Sequence, residues 1–224
     1  RGGSSDFNGR KAVFGHVLKY LSIQAKKTNV NIKTGVEVSS RTIIENPPDV
    51  LVIATGAEPI PPDVPECNNE KCVTSIGVLT SKDRVGSRVL IIGGGMIGAE
   101  TADYLCNLSA EVTILEMTDS IAADMVPWQR EFLLERLNSR SIRVISAATV
   151  KEILDDGAIF IKGGQENRIT GFDSIIFSVG RRPIKKLYID VKDFVKEIYL
   201  IGDASSPRNV LEAIKEGAEA ARHI

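Results

Sequence analysis

The chain has 224 residues, 43% hydrophobic and 25% charged, with a formal net charge of −1, a composition typical of a globular protein with one or two domains. Because 28 basic and 29 acidic residues nearly balance and form no basic block, we expect no nucleic-acid partner. No apolar run approaches the roughly 20 residues of a membrane helix, and the N-terminus lacks the apolar core of a signal peptide, so we expect a cytoplasmic protein with no membrane partner.

The first part of the chain predicts a helix followed by short strands. Apolar side chains recur at helical spacing from Phe14 to Ala25. Three β-like pieces follow, VNIKTGVEV, TII and DVLVIATG, and the apolar run of the last one predicts a buried strand. The Pro-rich stretch EPIPPDVPE comes next and predicts a linker at a domain boundary.

The middle of the chain predicts a βαβ pattern. The expected strands are RVLIIG, EVTILE and IRVIS, and they alternate with the expected helices GMIGAETADYLCNL and VPWQREFLLERLNSRS. An antiparallel meander with Gly and Asp turns then follows in ATVKEILDD, GAIFIKG and NRITG. After a further buried strand, FDSIIFSVG, the tail EIYLIGDASS and its helix return to the style of the first segment. The order predicts an α/β fold in which a compact nucleotide domain is inserted into a second α/β domain.

A glycine finger lies at the centre of this pattern, in VLIIGGGMIGAE. Gly93 permits the tight turn, Gly95 lets the backbone approach a pyrophosphate, and Gly98 lets the helix pack on the strand. Met96 and Ile97 begin the helix, whose unpaired N–H groups and partial positive charge attract an anion. The preceding strand, the following helix and an acid at the end of the next strand together favour a dinucleotide site over a glycine-rich turn without a ligand.

Glu116 ends the second strand, in VTILEM. A carboxylate at this position accepts both ribose hydroxyls of an adenosine and repels a 2′-phosphate. The next residues, MTDSIAAD, contain no Arg or Lys that would bind such a phosphate. We therefore expect NAD(H) rather than NADP(H); the alternative is a solvated glutamate at a strand end.

The end of the finger helix, in NLSAEV, lacks the glycine that usually follows a helix. Ser109 or Asn107 is expected to take the left-handed conformation instead. A residue other than glycine in that conformation costs about 1 kcal/mol.

Five motifs occur in one order along the chain: DVLVIATGAEPIPP, VLIIGGGMIGAETADYL, VTILEM with IAADM, FSVGRRP, and LIGDASSPRNVLEAIKEGAEAA. They resemble the flavoproteins with two dinucleotide-binding domains, in the pyridine nucleotide-disulfide oxidoreductase superfamily. The closest resemblance is to the C-terminal region of the old-yellow-enzyme-type NADH:flavin oxidoreductases, the group of enoate reductase, dienoyl-CoA reductase and trimethylamine dehydrogenase. The combination of GDASSPR with EAIKEG is most specific to that group.

The resemblance implies a Rossmann-like NAD domain, with a parallel sheet and an antiparallel meander, inserted into an incomplete FAD-type α/β domain. The implied division is residues 1–82 and 181–224 for the FAD-type domain and 83–180 for the NAD domain. The implied NAD site contains the finger residues and Glu116, and Gly180 is implied to lie where the domains meet. The residues implied to lie against FAD are Thr55, Gly56, Gly202, Asp203 and Ala204.

In this family an FMN barrel and an iron–sulfur portion precede the region, and FAD takes hydride from NADH. Neither a barrel nor a cysteine array for a cluster is present in the sequence, and the strand–GxGxxG–helix unit expected before Arg1 is missing. We therefore expect a fragment in which NAD(H) binds and the FAD site is incomplete, with the barrel and cluster in a longer chain or a partner. Asp203 has two interpretations, a turn residue or an acceptor for the ribityl chain of the flavin.

The three cysteines and Glu100 are the remaining residues with a possible functional role. Cys67 and Cys72 have the CxxxxC spacing of disulfide reductases, but they follow a Pro-rich linker, and surface or linker cysteines are the favoured interpretation. Cys106 is expected in the core. Glu100, in the first turn of the finger helix, either complements the helix dipole or, by resemblance, lies near the flavin–nicotinamide contact.

The primary functional hypothesis is the pyridine-nucleotide-binding fragment of an NADH-dependent flavin oxidoreductase that passes hydride from NADH to FAD. The cofactors supply this chemistry, so no catalytic side chain is predicted. The alternatives are a non-catalytic module that holds ADP or NAD and a thiol–disulfide reductase using Cys67 and Cys72.

Overall fold

The computed structural model describes residues 4–60, 71–80, 83–140 and 142–224, with side chains from Gly15 onward. The helices are α1 (Ser4–Lys27), α2 (Ser40–Glu45), α3 (Ser75–Leu79), α4 (Met96–Asn107), α5 (Pro127–Ser139), α6 (Lys186–Val191) and α7 (Val210–His223), with a short 3₁₀ helix at Gly202–Ala204. The strands are β1 (Val50–Ile53), β2 (Ala57–Pro59), β3 (Cys72–Thr74), β4 (Arg88–Ile92), β5 (Glu111–Leu115), β6 (Arg143–Ile145), β7 (Ala148–Leu154), β8 (Gly157–Lys162), β9 (Gln165–Ile169), β10 (Ser174–Phe177), β11 (Arg181–Pro183) and β12 (Glu197–Leu200).

The chain divides into two compact units. One contains Pro59–Gly180, and the other combines Val13–Glu58 with Arg181–Ile224. The predicted division placed a boundary after residue 82, whereas β3 pairs with β10 and so belongs to the sheet of the first unit. The assignment of the two units to NAD and FAD stays a prediction.

The first unit contains a parallel five-stranded sheet in the order β3-β10-β4-β5-β6. Its central strand β4 is covered on both faces: Val89 and Ile91 pack in a cluster with α4, while Leu90 packs in a cluster with the β7-β8-β9 antiparallel meander. Burial on both faces explains why β4 is a continuous apolar run rather than an alternating one. The predicted α/β fold, with a parallel sheet and a meander, is confirmed.

The second unit has a smaller core. Strands β1 and β12 form a two-stranded parallel sheet, in register from Val50↔Glu197 to Ile53↔Leu200, and β2 pairs with β11 in another two-stranded sheet. The buried residues of this unit's hydrophobic cluster are Ile43, Ile53, Val191 and Val195.

Two of the three strands predicted in the first part of the chain are absent from the structure, so these predictions are wrong. Residues 30–38, VNIKTGVEV, form no strand, and the valines there stay exposed, with Val36 at 61%. The TII piece instead lies in helix α2, because the Ser39 hydroxyl accepts a hydrogen bond from the Thr42 amide at 3.3 Å and caps the helix start. Trp128, in the first turn of α5, is 61% exposed.

The finger helix α4 ends in a Schellman motif. The Ser109 amide donates to the Cys106 carbonyl at 3.1 Å, and the Ala110 amide donates to the Leu105 carbonyl at 3.1 Å. The left-handed residue is Ser109, with φ +66°, so the sequence alternative with Asn107 at this position is wrong.

Candidate functional site: two carboxyl edges

The turn of the glycine finger follows β4 directly. Gly93 has φ +97°, and a β-carbon there would overlap the Ser178 carbonyl oxygen that follows β10. A β-carbon at Gly98 would overlap the Gly93 carbonyl oxygen. The turn and the close approach of α4 therefore both require glycine, as the finger motif predicts.

Gly95 differs from these two glycines because its backbone is extended, with φ −60° and ψ −177°. A β-carbon there would lie 3.6 Å from its nearest neighbour, an Asp124 carboxylate oxygen, which is an ordinary van der Waals contact. Neither strain nor internal packing requires glycine at this position. The space in front of Gly95 and the first amides of α4, at Met96 and Ile97, is instead what a closely approaching anion needs.

Glu116 lies against the finger and is only 7% exposed. Its Oε2 atom accepts a hydrogen bond from the Gly94 amide at 2.5 Å, and Oε1 accepts one from the Thr118 amide at 2.7 Å. Each carboxylate oxygen has a second lone pair, so both can still accept a ribose hydroxyl. The sequence did not predict the bond to Gly94, which fixes the acid to the finger.

The strand order places these groups at one edge. From β4 the chain proceeds through β5 to β6 on one side, while β10 and β3 lie on the other side. Ligands of open parallel sheets bind outside the carboxyl ends of the strands where the order reverses in this way. Gly93 follows β4, Glu116 follows β5 and Gly180 (φ +109°) comes three residues after β10, so all three predicted residues follow strands at that edge.

The second unit has a carboxyl edge of its own. The Ile201 amide donates to the Ile53 carbonyl at 3.0 Å, so the loops that leave β1 and β12 begin side by side. These loops contain the residues predicted to lie against FAD: Thr55, Gly56, Gly202, Asp203 and Ala204. The structure thus brings together two predicted segments that are about 150 residues apart along the chain.

Asp203 takes part in an ion pair that sequence reasoning missed. Arg181 Nη1 lies 2.5 Å from Asp203 Oδ2, and Arg181 Nη2 donates to the Ala57 carbonyl at 2.8 Å. Asp203 Oδ1 also accepts a hydrogen bond from the Arg208 amide at 3.2 Å, which agrees with the turn-residue interpretation. The sequence signal for this ion pair was the two adjacent arginines in SVGRRP. They follow β10 and lie in β11, at the point where the chain enters the second unit.

Glu216, on α7, holds the start of the same loop. Its Oε2 atom accepts a hydrogen bond from the Gly202 amide at 2.6 Å, and its Oε1 atom pairs with Arg208. The hydrogen bond from Arg208 and, second, the one from Gly202 lower the pKa of the Glu216 carboxyl. A helix carboxylate therefore fixes this loop, as a strand-end carboxylate fixes the glycine finger.

Neither of the two cysteines that the structure describes contributes a reactive thiol to either edge. Cys106 packs against the α4 cluster, and burial raises its pKa, which disfavours the thiolate. Cys72 is disulfide-bonded at the start of β3, and Cys67 lies outside the described residues. Glu100 lies on α4 and is half-buried.

Across the part of the chain that the structure describes, no cluster of His, Cys, Asp and Glu side chains has the makings of a metal site. Among the same residues, no helix combines the length and apolar character needed to cross a membrane.

Comparison with known proteins gives a consistent result. The family model for pyridine nucleotide-disulphide oxidoreductases matches residues 14–217. The chain is 29% identical to the NADH oxidase of Thermoanaerobacter brockii, covering 92% of this chain and 32% of that protein. It is 30% identical to the cinnamate reductase of Clostridium sporogenes, covering 93% and 31% respectively.

Solved structures give the same fold. A 2-naphthoyl-CoA reductase complex superposes with a TM-score of 0.85 and 28% identity, covering 94% of this chain and 32% of that one. Histamine dehydrogenase from Rhizobium sp. 4-9 has a TM-score of 0.77 at 18% identity, covering 95% and 36%. The resemblance to the old-yellow-enzyme-type group is confirmed, and the chain spans about a third of the length of these relatives.

Proposed function

Because the chain belongs to the pyridine nucleotide-disulphide oxidoreductase family, we propose that it is the pyridine-nucleotide-binding region of an NADH-dependent flavin oxidoreductase. The observation that supports this most is the geometry of the finger. Gly93 and Gly98 allow the tight turn and the close approach of α4, and Gly95 leaves space for a ligand. The Glu116 carboxylate accepts a hydrogen bond from the Gly94 amide and so lies beside this space.

In this proposal the finger residues hold the pyrophosphate of NADH. Gly95, Met96 and Ile97 present the open backbone and the first amides of α4, while Gly93 and Gly98 hold the helix close to the strand. Gly180 follows β10, on the side of the strand-order reversal away from Glu116, where we place the nicotinamide half.

Selectivity for NADH over NADPH follows from charge. Glu116 is buried and fixed by two amides, so it cannot turn away from a 2′-phosphate without leaving both donors unsatisfied. The loop after β5 adds the acids Asp119 and Asp124. We expect these charges to disfavour the additional dianionic group of NADPH.

The second carboxyl edge is the proposed contact with FAD, through Thr55, Gly56, Gly202, Asp203 and Ala204. Bound together, the two cofactors supply hydride transfer from the nicotinamide to the flavin. The residues of the chain position them: Arg181 keeps the Asp203 carboxylate in place, and Glu216 keeps the Gly202 amide in place. We place an FMN barrel and an iron–sulfur portion in the remaining two thirds of a longer chain or in a partner.

The test is a Gly95→Ala variant, which fills the open space without straining the backbone. The methyl group meets only the Asp124 carboxylate at 3.6 Å, so the fold is expected to stay intact while the affinity for NADH falls by about tenfold or more. Isothermal titration calorimetry of the 224-residue chain measures this, and circular dichroism checks the fold. Gly15→Ala is the matched control, because a β-carbon there meets nothing within 4 Å.

The same titrations with NADPH and ADP complete the test. Tighter binding of NADPH than of NADH would contradict the selectivity. Equal affinity for ADP and NADH would indicate a binding module in which the nicotinamide contributes nothing to the affinity. Unchanged NADH affinity in the folded Gly95→Ala variant would exclude the finger as the binding site.

A further inference from the structure

A carboxylate of the protein itself lies where the finger would bind a phosphate. The Met96 amide, the first N–H of α4, donates a hydrogen bond to Asp124 Oδ1 at 2.7 Å. The same carboxylate is the group nearest to the open side of Gly95, with both oxygens within 3.7 Å of a β-carbon placed there. The position that the finger keeps free for an anion is thus next to an anion of the chain.

The backbone of the loop that carries Asp124 is anchored. The Ala122 amide donates to the Gly94 carbonyl at 2.7 Å, and Arg130 Nε donates to the Ile121 carbonyl at 3.0 Å. Ala122 is fully buried with φ +52°, a conformation that a non-glycine residue keeps only when its surroundings hold it. The Asp124 side chain, by contrast, is exposed, so it can leave the finger by rotation while the loop stays fixed.

We propose that Asp124 is an internal competitor of the dinucleotide, a carboxylate that occupies the pyrophosphate position of the finger in the free protein and leaves it on binding. This inference rests on the proposed NADH site. One amide N–H cannot donate a linear hydrogen bond to two acceptors, and the helix end that attracts one anion brings two anions into repulsion. The carboxylate and a phosphate oxygen therefore exclude each other at Met96.

The exchange has two consequences of opposite sign. In the free protein Asp124 satisfies a helix-start amide that would otherwise lack a protein acceptor, so it stabilises the fold. In the bound protein a phosphate oxygen replaces the Asp124 carboxylate at the Met96 amide. The free energy of the lost Asp124 hydrogen bond therefore reduces the free energy of dinucleotide binding. Asp124 thus lowers the affinity for every ligand whose pyrophosphate uses the Met96 amide.

The experiment compares Asp124→Ala and Asp124→Asn with the wild-type chain, using ADP and NADH as probes. Removing the competing carboxylate is expected to tighten the binding of both probes by about three- to tenfold, the size of one net hydrogen bond. Asp124→Asn keeps an acceptor without the charge and should fall between the two. Glu131→Gln, on α5, is the matched control, because it removes an equal charge from an exposed position without touching the Met96 bond.

A melting experiment provides a readout independent of affinity. Without ligand, Asp124→Ala should melt at a lower temperature than the wild type; with saturating ADP the difference should close, because the bond is already absent from the bound wild-type state. ADP binding that is unchanged or weaker in Asp124→Ala, with a melting difference that persists in ADP, would overturn this inference and leave the NADH site standing. Failure of every variant to bind ADP or NADH would overturn the proposed site itself.

Discussion

The two carboxyl edges of the molecule use the same device in different surroundings. At the first edge Glu116 accepts a hydrogen bond from the Gly94 amide, and at the second edge Glu216 accepts one from the Gly202 amide. Glu116 directly follows a strand of a sheet covered on both faces and is buried, whereas Glu216 is half-buried and pairs with Arg208.

The difference shows what fixes each loop. The first loop is held mainly by close packing, because Gly93 and Gly98 approach backbone atoms that cannot move aside. The second loop is held by accessible ion pairs, with Arg181 on Asp203 and Arg208 on Glu216. We therefore expect steric changes to damage the first edge most, and changes of charge, salt or pH to affect the second edge.

The largest expected effect comes from adding one methyl group to a helix at each edge. In Gly98→Ala the new β-carbon overlaps the Gly93 carbonyl, so α4 must move away from β4, at a cost of about 3 kcal/mol in the free energy of unfolding. In Gly217→Ala, on α7, the new atom lies 3.9 Å from Ile201 Cδ1, and the higher helix propensity of alanine should add about 0.5–1 kcal/mol. Urea denaturation followed by circular dichroism measures both changes; equal effects would remove the distinction between the edges.

A second comparison concerns two aspartates that pair with arginines. Asp103, on α4, is 4% exposed and pairs with Arg136 of α5 and with Arg140, the residue that follows α5, each at 3.0 Å. Asp103→Asn should lower the free energy of unfolding by about 2 kcal/mol, because it removes charge-assisted bonds from a buried group while the arginines can still reach water.

The matched variant is Asp203→Asn, whose ion pair with Arg181 is more exposed. The side chains of this pair are 24% and 29% exposed, so the expected cost is about 1 kcal/mol or less. Urea melts at low and high salt measure both variants, and salt should reduce the Asp203 effect more than the Asp103 effect. A larger loss for Asp203→Asn than for Asp103→Asn would contradict the comparison.

The contrast between closely packed and exposed parts of the chain also determines which elements of the fold could be predicted from the sequence. The β4–α4–β5 unit was predictable because burial on both faces makes its strands apolar and its turn needs glycines. The segment around α2 was not, because residues 30–38 alternate like a strand but stay exposed, and the TII piece is short enough to suit either element.

Within the site, the sequence indicated which residues lie at each edge but not what they contact. Glu116 and Asp203 were both expected near cofactors. Their bonds to Gly94 and Arg181 join positions about 20 residues apart through the fold, and no local pattern encodes such a pairing. The sequence identifies Asp124 only as part of a loop without basic residues, because its contact with Met96 depends on where that loop crosses the finger.

The smallest expected effect is a dependence on pH at the second edge. Because the pKa of Glu216 is lowered in the folded state, its contribution is complete above the ordinary value of 4.5 and is lost as the pH falls through the lowered value. Glu216→Gln should therefore melt slightly below the wild type at pH 7, and the difference should shrink as the pH falls from the ordinary value of 4.5 through the lowered value. Glu219→Gln is the control, because it removes a charge from the same helix without touching the Gly202 amide. A melting difference that stays constant from pH 7 to pH 3 would mean that the Glu216 charge does not hold the loop, and that shape fixes the second edge as it fixes the first.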